Sequence, residues 1–584
     1  MRVFATMLLT MSLAAGPLLA NDAKDAGKEE SPATAAAAKA KEAVKPENAV
    51  IESELQDLRD LIQSQMQELE AQRAALKAQQ LKMEVLEEKL HSTPPEPVSV
   101  PVAAPAATPE ATPAVAIGAA PRTLSASVAM PAQGAAEEKP SPLYFKIGAA
   151  EFYPLGFMDL TSITRTTQLG GIGTNFGAIA FNNTVAGRLT EERLSAQNSR
   201  IGLRTHAKFG EADVTGYLEA DFLGFLPPNG HDTSNSDSLR LRLYWVDYKR
   251  GKFEVLGGQS WSFLTPNRTG LGALPGDLFY SQDVDTNYQL GLTWARQAGV
   301  RFIVHPSNNV AIGVALENPE QTLPSSVIVP AAAGAGYASQ FDSNSSNTSS
   351  PTGVNNPNTP NLHPDIIPKI AFDFKPGGHQ VHFDVAGLFR TFKAVNVIAT
   401  PGALTTPPAV TSGGTVDTVI HGGGGAATMN VELVKNFRII ATGFYSYGGG
   451  RYIASTAGPD VIVRPNGTLS GVRSGSGIGG FEWQPNAKTV IYGYYSGAYF
   501  GKNFDQTGTT FTGYGFPGSP NTANRYIYEP TFGLHYTMWR NPNYGDIRIM
   551  TQFSYVSRTP WNIGSGPATA HMGMAYINLR YDLP

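Results

Sequence analysis

Gln197 to Phe222 reads QNSRIGLRTHAKFGEADVTGYLEADF. One set of alternate residues carries Arg200, Arg204, His206 and Lys208, and the interleaved set carries Ile201, Leu203 and Phe209. After Gly210-Glu211 the parity swaps: Val214, Leu218, Ala220 and Phe222 are apolar, while Asp213, Glu219 and Asp221 are acidic. Period-2 alternation broken by a Gly-containing step is the pattern of two half-buried strands joined by a tight turn. With Gly210-Glu211 as the turn, paired positions sum to 421. Lys208 then faces Asp213, Gly202 faces Glu219 and Arg200 faces Asp221, so opposite charges meet on one face.

Which face is inside depends on what could cover the apolar one. Alternation of the same kind recurs to the end of the chain. Leu239, Leu241 and Leu243 alternate with Arg240, Arg242 and Tyr244; Val300, Phe302 and Val304 with Arg301 and His305. Val381, Phe383 and Val385 alternate with His382 and Asp384, and Arg390 continues the polar parity. Met429, Val431 and Leu433 alternate with Asn430 and Glu432; Ile547, Ile549 and Phe553 with Arg548, Gln552 and Ser554; Ala575, Ile577, Leu579 and Tyr581 with Tyr576, Asn578 and Arg580. No amphipathic helix after residue 143 is available to cover those faces. Lipid can cover them, provided the sheet closes and leaves no edge. A charge on the lipid face would cost roughly 2–4 kcal/mol at the midplane, so the charged face must be the lumen.

Loop lengths agree with this reading. Short connections at 209–213, 250–252, 305–309, 375–379, 434–436, 484–488 and 540–546 alternate with long ones at 166–196, 224–238, 319–364, 398–420, 449–472, 501–524 and 558–570. Short turns at one end and long Gly/Asn/Ser/Thr-rich loops at the other are the outer-membrane barrel pattern. Strand-like runs number about seventeen if 286–296 and 299–305 are separate. Both ends of the chain belong in the periplasm, which requires an even number. One strand ending at His305 resolves the conflict, with residues 264–292 as a long third loop turned inward. The fold class is therefore an all-β transmembrane barrel of sixteen antiparallel strands, wide enough for an aqueous channel.

Before the barrel the chain changes character several times. Residues 1–20 have Arg2, an apolar run and a small residue at Ala20, as in a secretory signal peptide. Residues 21–50 are polar and Ala/Lys/Glu-rich, a disordered composition. Over 51–91, Leu55, Ile62, Leu69, Leu76, Met83 and Leu90 recur every seventh residue against Ile51, Leu58, Gln65, Gln72, Gln79 and Leu86. Such a heptad seam predicts an α-helical coiled coil, here periplasmic, and so an oligomer. Residues 92–142 form a Pro/Ala-rich linker, and 143–584 form the barrel.

Composition fits an exported barrel. Across 584 residues the charged fraction is 16%, below the ~25% of ordinary soluble domains, and the net charge of −4 offers no basic excess for nucleic acid. There are 61 Gly, 23 Tyr, 28 Phe and no Cys, which excludes disulfides and thiolate chemistry. No nucleophile-base constellation, phosphate loop or G-x-S-x-G elbow proposes an enzyme, and no cofactor is implied. His379-x-x-His382 straddles a turn and reads as structural rather than metal-binding. Gly422–Ala427 lacks a phosphate-loop context and suits a wall that bends or closely approaches a neighbour.

The functional expectation rests on the lumen arginines Arg200, Arg204, Arg240, Arg242, Arg301 and Arg390, which can fork onto carboxylates. Opposite them are expected Asp277, Asp283 and Asp285 of the third loop, giving a transverse field at a constriction. Glu219 and Asp221 offer the competing role of neutralising those arginines as wall ion pairs. A structural or adhesive anchor is the alternative to a channel.

The segments SRIGLR (199–204), FLGF (222–225), LRLRLYW (239–245), GGQSWSF (257–263) and ALENPE (315–320), with the overall arrangement, resemble the DcaP-like family of trimeric outer-membrane porins. That resemblance covers most of 51–584. It implies a homotrimer in outer-membrane lipid passing small anionic, often dicarboxylic, solutes, with cell-wall contact open to the coiled coil. Many such barrels end on an aromatic; here Tyr581 has the outward parity and a short tail follows it.

Overall fold

The computed structural model describes residues 143–584 apart from 170, 225–236, 275–278, 283–287, 330–361, 398–414 and 563–566; at 394–397 and 415–417 it describes backbone alone. The signal peptide, coiled coil and linker expected before residue 143 lie outside the described residues, as do Asp277, Asp283 and Asp285.

Alternation becomes strand wherever it was read. In chain order these are β1 (Phe145–Ile147), β2 (Ala150–Arg165), β3 (Glu191–Ser195), β4 (Arg200–Phe209), β5 (Ala212–Asp221), β6 (Arg240–Arg250), β7 (Phe253–Trp261), β8 (Arg296–Ser307), β9 (Val310–Glu317), β10 (Asp365–Phe374) and β11 (Val381–Val397). They continue with β12 (Thr415–Val434), β13 (Phe437–Tyr447), β14 (Val461–Val463), β15 (Leu469–Gly471), β16 (Arg473–Asn486), β17 (Thr489–Phe500), β18 (Asn503–Thr507), β19 (Thr510–Tyr514), β20 (Asn524–Asn541), β21 (Gly545–Pro560) and β22 (Ala570–Asp582).

Each wall strand pairs antiparallel with its neighbour in sequence, and the last, β22, closes on the first, β2, from Phe157↔Asp582 to Arg165↔Met574. β3 and β4 both pair with β2 and count as one wall strand interrupted at 196–199. β14–β15 and β18–β19 are separate hairpins in the long loops, and β1 is a short addition to β2. The wall therefore has sixteen strands, as parity requires. The run at 296–307 is the single strand β8. The first loop is shorter than expected, because Glu191–Ser195 already pairs with β2.

The β4–β5 register is the one the charges demand: Lys208↔Asp213, Gly202↔Glu219 and Arg200↔Asp221. Gly210 sits at φ 64° in that turn, and Asn436 takes φ 68° in the β12–β13 turn; positive φ matches a two-residue turn to the strand twist. Within β12, a Cβ on Gly424 would approach the Tyr445 carbonyl oxygen to 2.5 Å. That run therefore serves close packing of neighbouring wall strands.

Parity holds with one exception. Ile201, Phe302, Val385, Leu433, Phe553, Ile577 and Leu579 are exposed on the outer face, while Arg301, His382, Asp384, Arg390, Asn430, Arg548, Gln552, Asn578 and Arg580 are buried on the inner face. The exception lies in β6. Glu219 pairs with Leu243 but Ala220 with Leu241, which leaves Arg242 as an extra residue in a β-bulge. Arg242 and Leu243 are both buried and Tyr244 is exposed. This corrects the expectation that Leu243 faces lipid and Tyr244 the lumen.

Candidate lumen site

The third loop, residues 262–295 between β7 and β8, turns into the barrel. Leu264, Leu271, Phe279, Tyr288, Leu290 and Leu292 are buried with wall residues such as Ile303, Tyr492 and Tyr494 in one apolar cluster. A loop backbone placed there needs polar partners at intervals, and the wall supplies them. Lys369 of β10 donates to the Thr265 carbonyl at 2.8 Å and to Asn267 at 3.0 Å, and pairs with Asp384 at 3.4 Å. Asp384 accepts from the Asn267 backbone N–H, Asp373 from that of Gly270, and His382 lies between the two carboxylates at 2.9 and 3.1 Å. The imidazole of the His379-x-x-His382 pair is thus part of a loop anchor.

Further along, Arg268 makes a forked pair with Glu482 of β16, with both contacts at 2.8 Å. Burial alone would lower the Arg268 pKa, but Glu482, with Tyr280 beside it, raises it by more, so the net shift is upward. The Tyr280 N–H donates to the Tyr494 hydroxyl and the Gln282 N–H to Gln552. Gln289 Nε2 donates to Ser496, Glu529 and Thr531 at 2.9–3.1 Å. The loop is therefore fastened to β10, β11, β16, β17, β20 and β21.

A different section of wall carries the arginine ladder. Arg242 reaches Glu219 at 2.7 Å and Asp221 at 2.5 Å, Arg240 reaches Asp221 at 2.6 Å, and Arg200 lies 3.6 Å from Glu219. Three guanidiniums thus share two carboxylates. Arg204 stacks over the Tyr153 ring at 4.5 Å. Glu219 and Asp221 are thus ion-pair partners of the wall arginines. Two more arginines extend the ladder across the barrel seam: Arg580 pairs with Asp159 at 2.8 Å, and Arg548 pairs with Asp582. Both had the inward parity in sequence and could have been placed by it.

The remaining two expected lumen arginines hold loops. Arg301 donates to Ser260 Oγ at 2.8 Å and to the Trp261 carbonyl, at the root of the third loop. Arg390 pairs with Asp365 at 3.1 Å and Asp460 at 3.2 Å, and Arg451 joins Asp365 at 2.9 Å, so the loop after β13 is clamped to β10 and β11. At the short-turn end of the barrel a small cavity is lined by Tyr280, Lys488, Val490, His535, Thr537, Arg540 and Arg548. Among the described residues no group of three or more metal-ligating side chains comes together.

No protein-family model matches the chain, and no curated protein matches it in sequence. Among solved structures it is similar to the outer membrane channel DcaP of Acinetobacter baumannii, with a TM-score of 0.53 and 15% identity over 75% of this chain and 99% of that one. It is more distantly similar to an anion-selective porin from Comamonas acidovorans, with a TM-score of 0.39 and 10% identity over 74% of this chain and 100% of that one. OmpF of Salmonella typhi gives a TM-score of 0.39 and 9% identity over 76% of this chain and 100% of that one. At such identities the likeness to DcaP carries the fold alone, a closed sixteen-stranded antiparallel barrel.

Proposed function

We propose that this protein is an outer-membrane porin: a water-filled channel, assembled as a homotrimer, for passive diffusion of small hydrophilic anions of the dicarboxylate type. The observation that carries the reading is the inner wall of β4, β5 and β6. There Arg200, Arg240 and Arg242 outnumber Glu219 and Asp221 by one, and Arg204 adds a further cation stacked on a ring. A ladder with more guanidinium than carboxylate attracts carboxylates, and the planar fork of arginine suits their geometry. Arg301 and Arg390 act one step back, by holding the loops that shape the passage. The third-loop acids Asp277, Asp283 and Asp285 complete the reading as the negative side of a transverse field.

Single-channel recording on the purified full-length protein separates a channel from an anchor. Stepwise open currents are expected; well-folded protein that passes no current would leave the structural or adhesive anchor as the better reading. Liposome swelling addresses the solute: a small dicarboxylate should enter faster than a diamine of equal size, and the reverse order would overturn the anionic assignment.

A further inference from the structure

Most arginines of the inner wall and its loops pair with carboxylates, but three cations on the outside have no such pair among the described residues. Arg473 begins β16, Lys502 follows β17 and Arg525 lies near the start of β20, all at the loop end of the barrel and all exposed. They sit close together. The Gly501 N–H donates to the Arg473 carbonyl at 2.7 Å, which places Lys502 beside Arg473. Lys502 Nζ and the Arg525 guanidinium share one ring, Trp561, at 5.8 and 4.6 Å from its centroid. Arg525 also lies over Tyr526 at 4.8 Å, and Tyr499 closes the group at 5.1 Å from Tyr526 and 6.3 Å from Trp561. Among the described residues none of the three has an ion pair.

Their outward direction follows from register. Arg473 has the parity of Gly475, Gly477 and Gly479, opposite to buried Ser474 and Ile478. At Arg525 the β20–β21 register shifts between Asn524 and Tyr526; Asn524 is buried inside, where Arg558 donates to it, and Arg525 is exposed. Directly below, glycines on three neighbouring strands keep the outer wall low, with the Tyr445 and Tyr528 rings lying over Gly475 and Gly497. Gly477 pairs with Gly443 on one side and Gly497 on the other. A Cβ at Gly477 would meet only ordinary contact at 3.5 Å, and at Gly479 it would meet nothing within 4 Å. The backbone there does not require glycine, so what these positions provide is a smooth shallow trough, flanked by exposed Tyr445 and Tyr495.

We propose that this patch is a binding site for a phosphorylated lipid of the outer leaflet, with phosphate held by Arg473, Lys502 and Arg525 and acyl chains lying along the glycine trough. Aromatic rings fix Lys502 and Arg525 without neutralising them, and a charge cluster at the interface above an apolar wall is complementary to an anionic headgroup above its chains. A carboxylate partner would have cancelled the field; with none among the described residues, three positive charges are left for a ligand from outside the chain. The inference rests on the outer-membrane placement and not on which solute crosses the lumen.

The test uses the full chain reconstituted in phosphatidylcholine nanodiscs doped with diphosphorylated lipid A, with the lipid that stays bound after detergent extraction counted by mass spectrometry. The variant Arg473→Gln/Lys502→Gln/Arg525→Gln should retain at least about tenfold less lipid A than the parent, a loss worth roughly 1.4 kcal/mol, while unitary conductance stays unchanged and reports an intact barrel. Equal retention by the variant would overturn the proposal. So would equal retention of lipid A lacking its phosphates, or displacement by inorganic phosphate at concentrations similar to the lipid. A cysteine at position 475 or 479 that cross-links two copies of the chain in the membrane would show a protein contact there and overturn it as well.

Discussion

Two groups of three cations stand on opposite sides of the same wall. Inside, Arg200, Arg240 and Arg242 are bound to Glu219 and Asp221 on the neighbouring strand, and Arg242 is fully buried. Outside, Lys502 and Arg525 rest on tyrosine and tryptophan rings, and Arg473 stands exposed beside them. The difference follows from what each face meets. A guanidinium packed among inner-wall and loop side chains loses water and must be matched by carboxylates, hydroxyls or carbonyls from the chain itself. A cation at the outer rim keeps its hydration, so it can be left unmatched and remain available to a partner.

The comparison can be broken from the inside first. Arg242→Ala removes the guanidinium that bridges Glu219 and Asp221 and leaves those buried carboxylates short of a partner. A loss of about 3–5 kcal/mol is expected, the usual cost of breaking a buried pair, measured as a lower urea midpoint for unfolding from micelles. Next in size is Phe553→Lys, which puts a charge on the outer face in the middle of β21; roughly 2–4 kcal/mol should be lost in lipid. The same substitution at the rim position Tyr526 should cost much less, because its headgroup-level surroundings are wet. Lys369→Met strips the third loop of its cation and leaves Asp384 to His382 and the Asn267 N–H. About 1–3 kcal/mol should go, with more frequent current fluctuations in single-channel traces as the loop root loosens. Smallest of all, Arg473→Gln/Lys502→Gln/Arg525→Gln should shift stability by no more than about 0.5 kcal/mol, since no ion pair within the chain is lost.

Much of this contrast was legible in the sequence, and for a physical reason. A strand in a closed barrel has one wet and one lipid face, so each residue declares its side by parity, and the charged pairs of the β4–β5 hairpin set its register to the residue. The misreading at Leu243 and Tyr244 came from a bulge, where an extra residue inverts parity for the rest of the strand. Its signal was present in Asp247, a carboxylate on what would otherwise have been the lipid face, and in Tyr248 following it. The loop anchors were not legible at all. Lys369 meets Thr265 across 104 positions and Gln289 meets Glu529 across 240, and no local pattern connects residues that distant. Nor does parity alone separate arginines left partly exposed on the inner face, such as Arg240, from Arg301 and Arg390, which face inward yet are consumed by loop carbonyls and carboxylates.

The most direct test of the central claim, a channel whose arginine wall favours anions, is the zero-current potential of the purified protein in a planar bilayer under a KCl gradient. The parent should give the sign of chloride preference, and Arg204→Glu with Arg240→Glu should move it toward potassium. A parent potential of the potassium sign, or one that the double variant leaves where it was, would contradict the account.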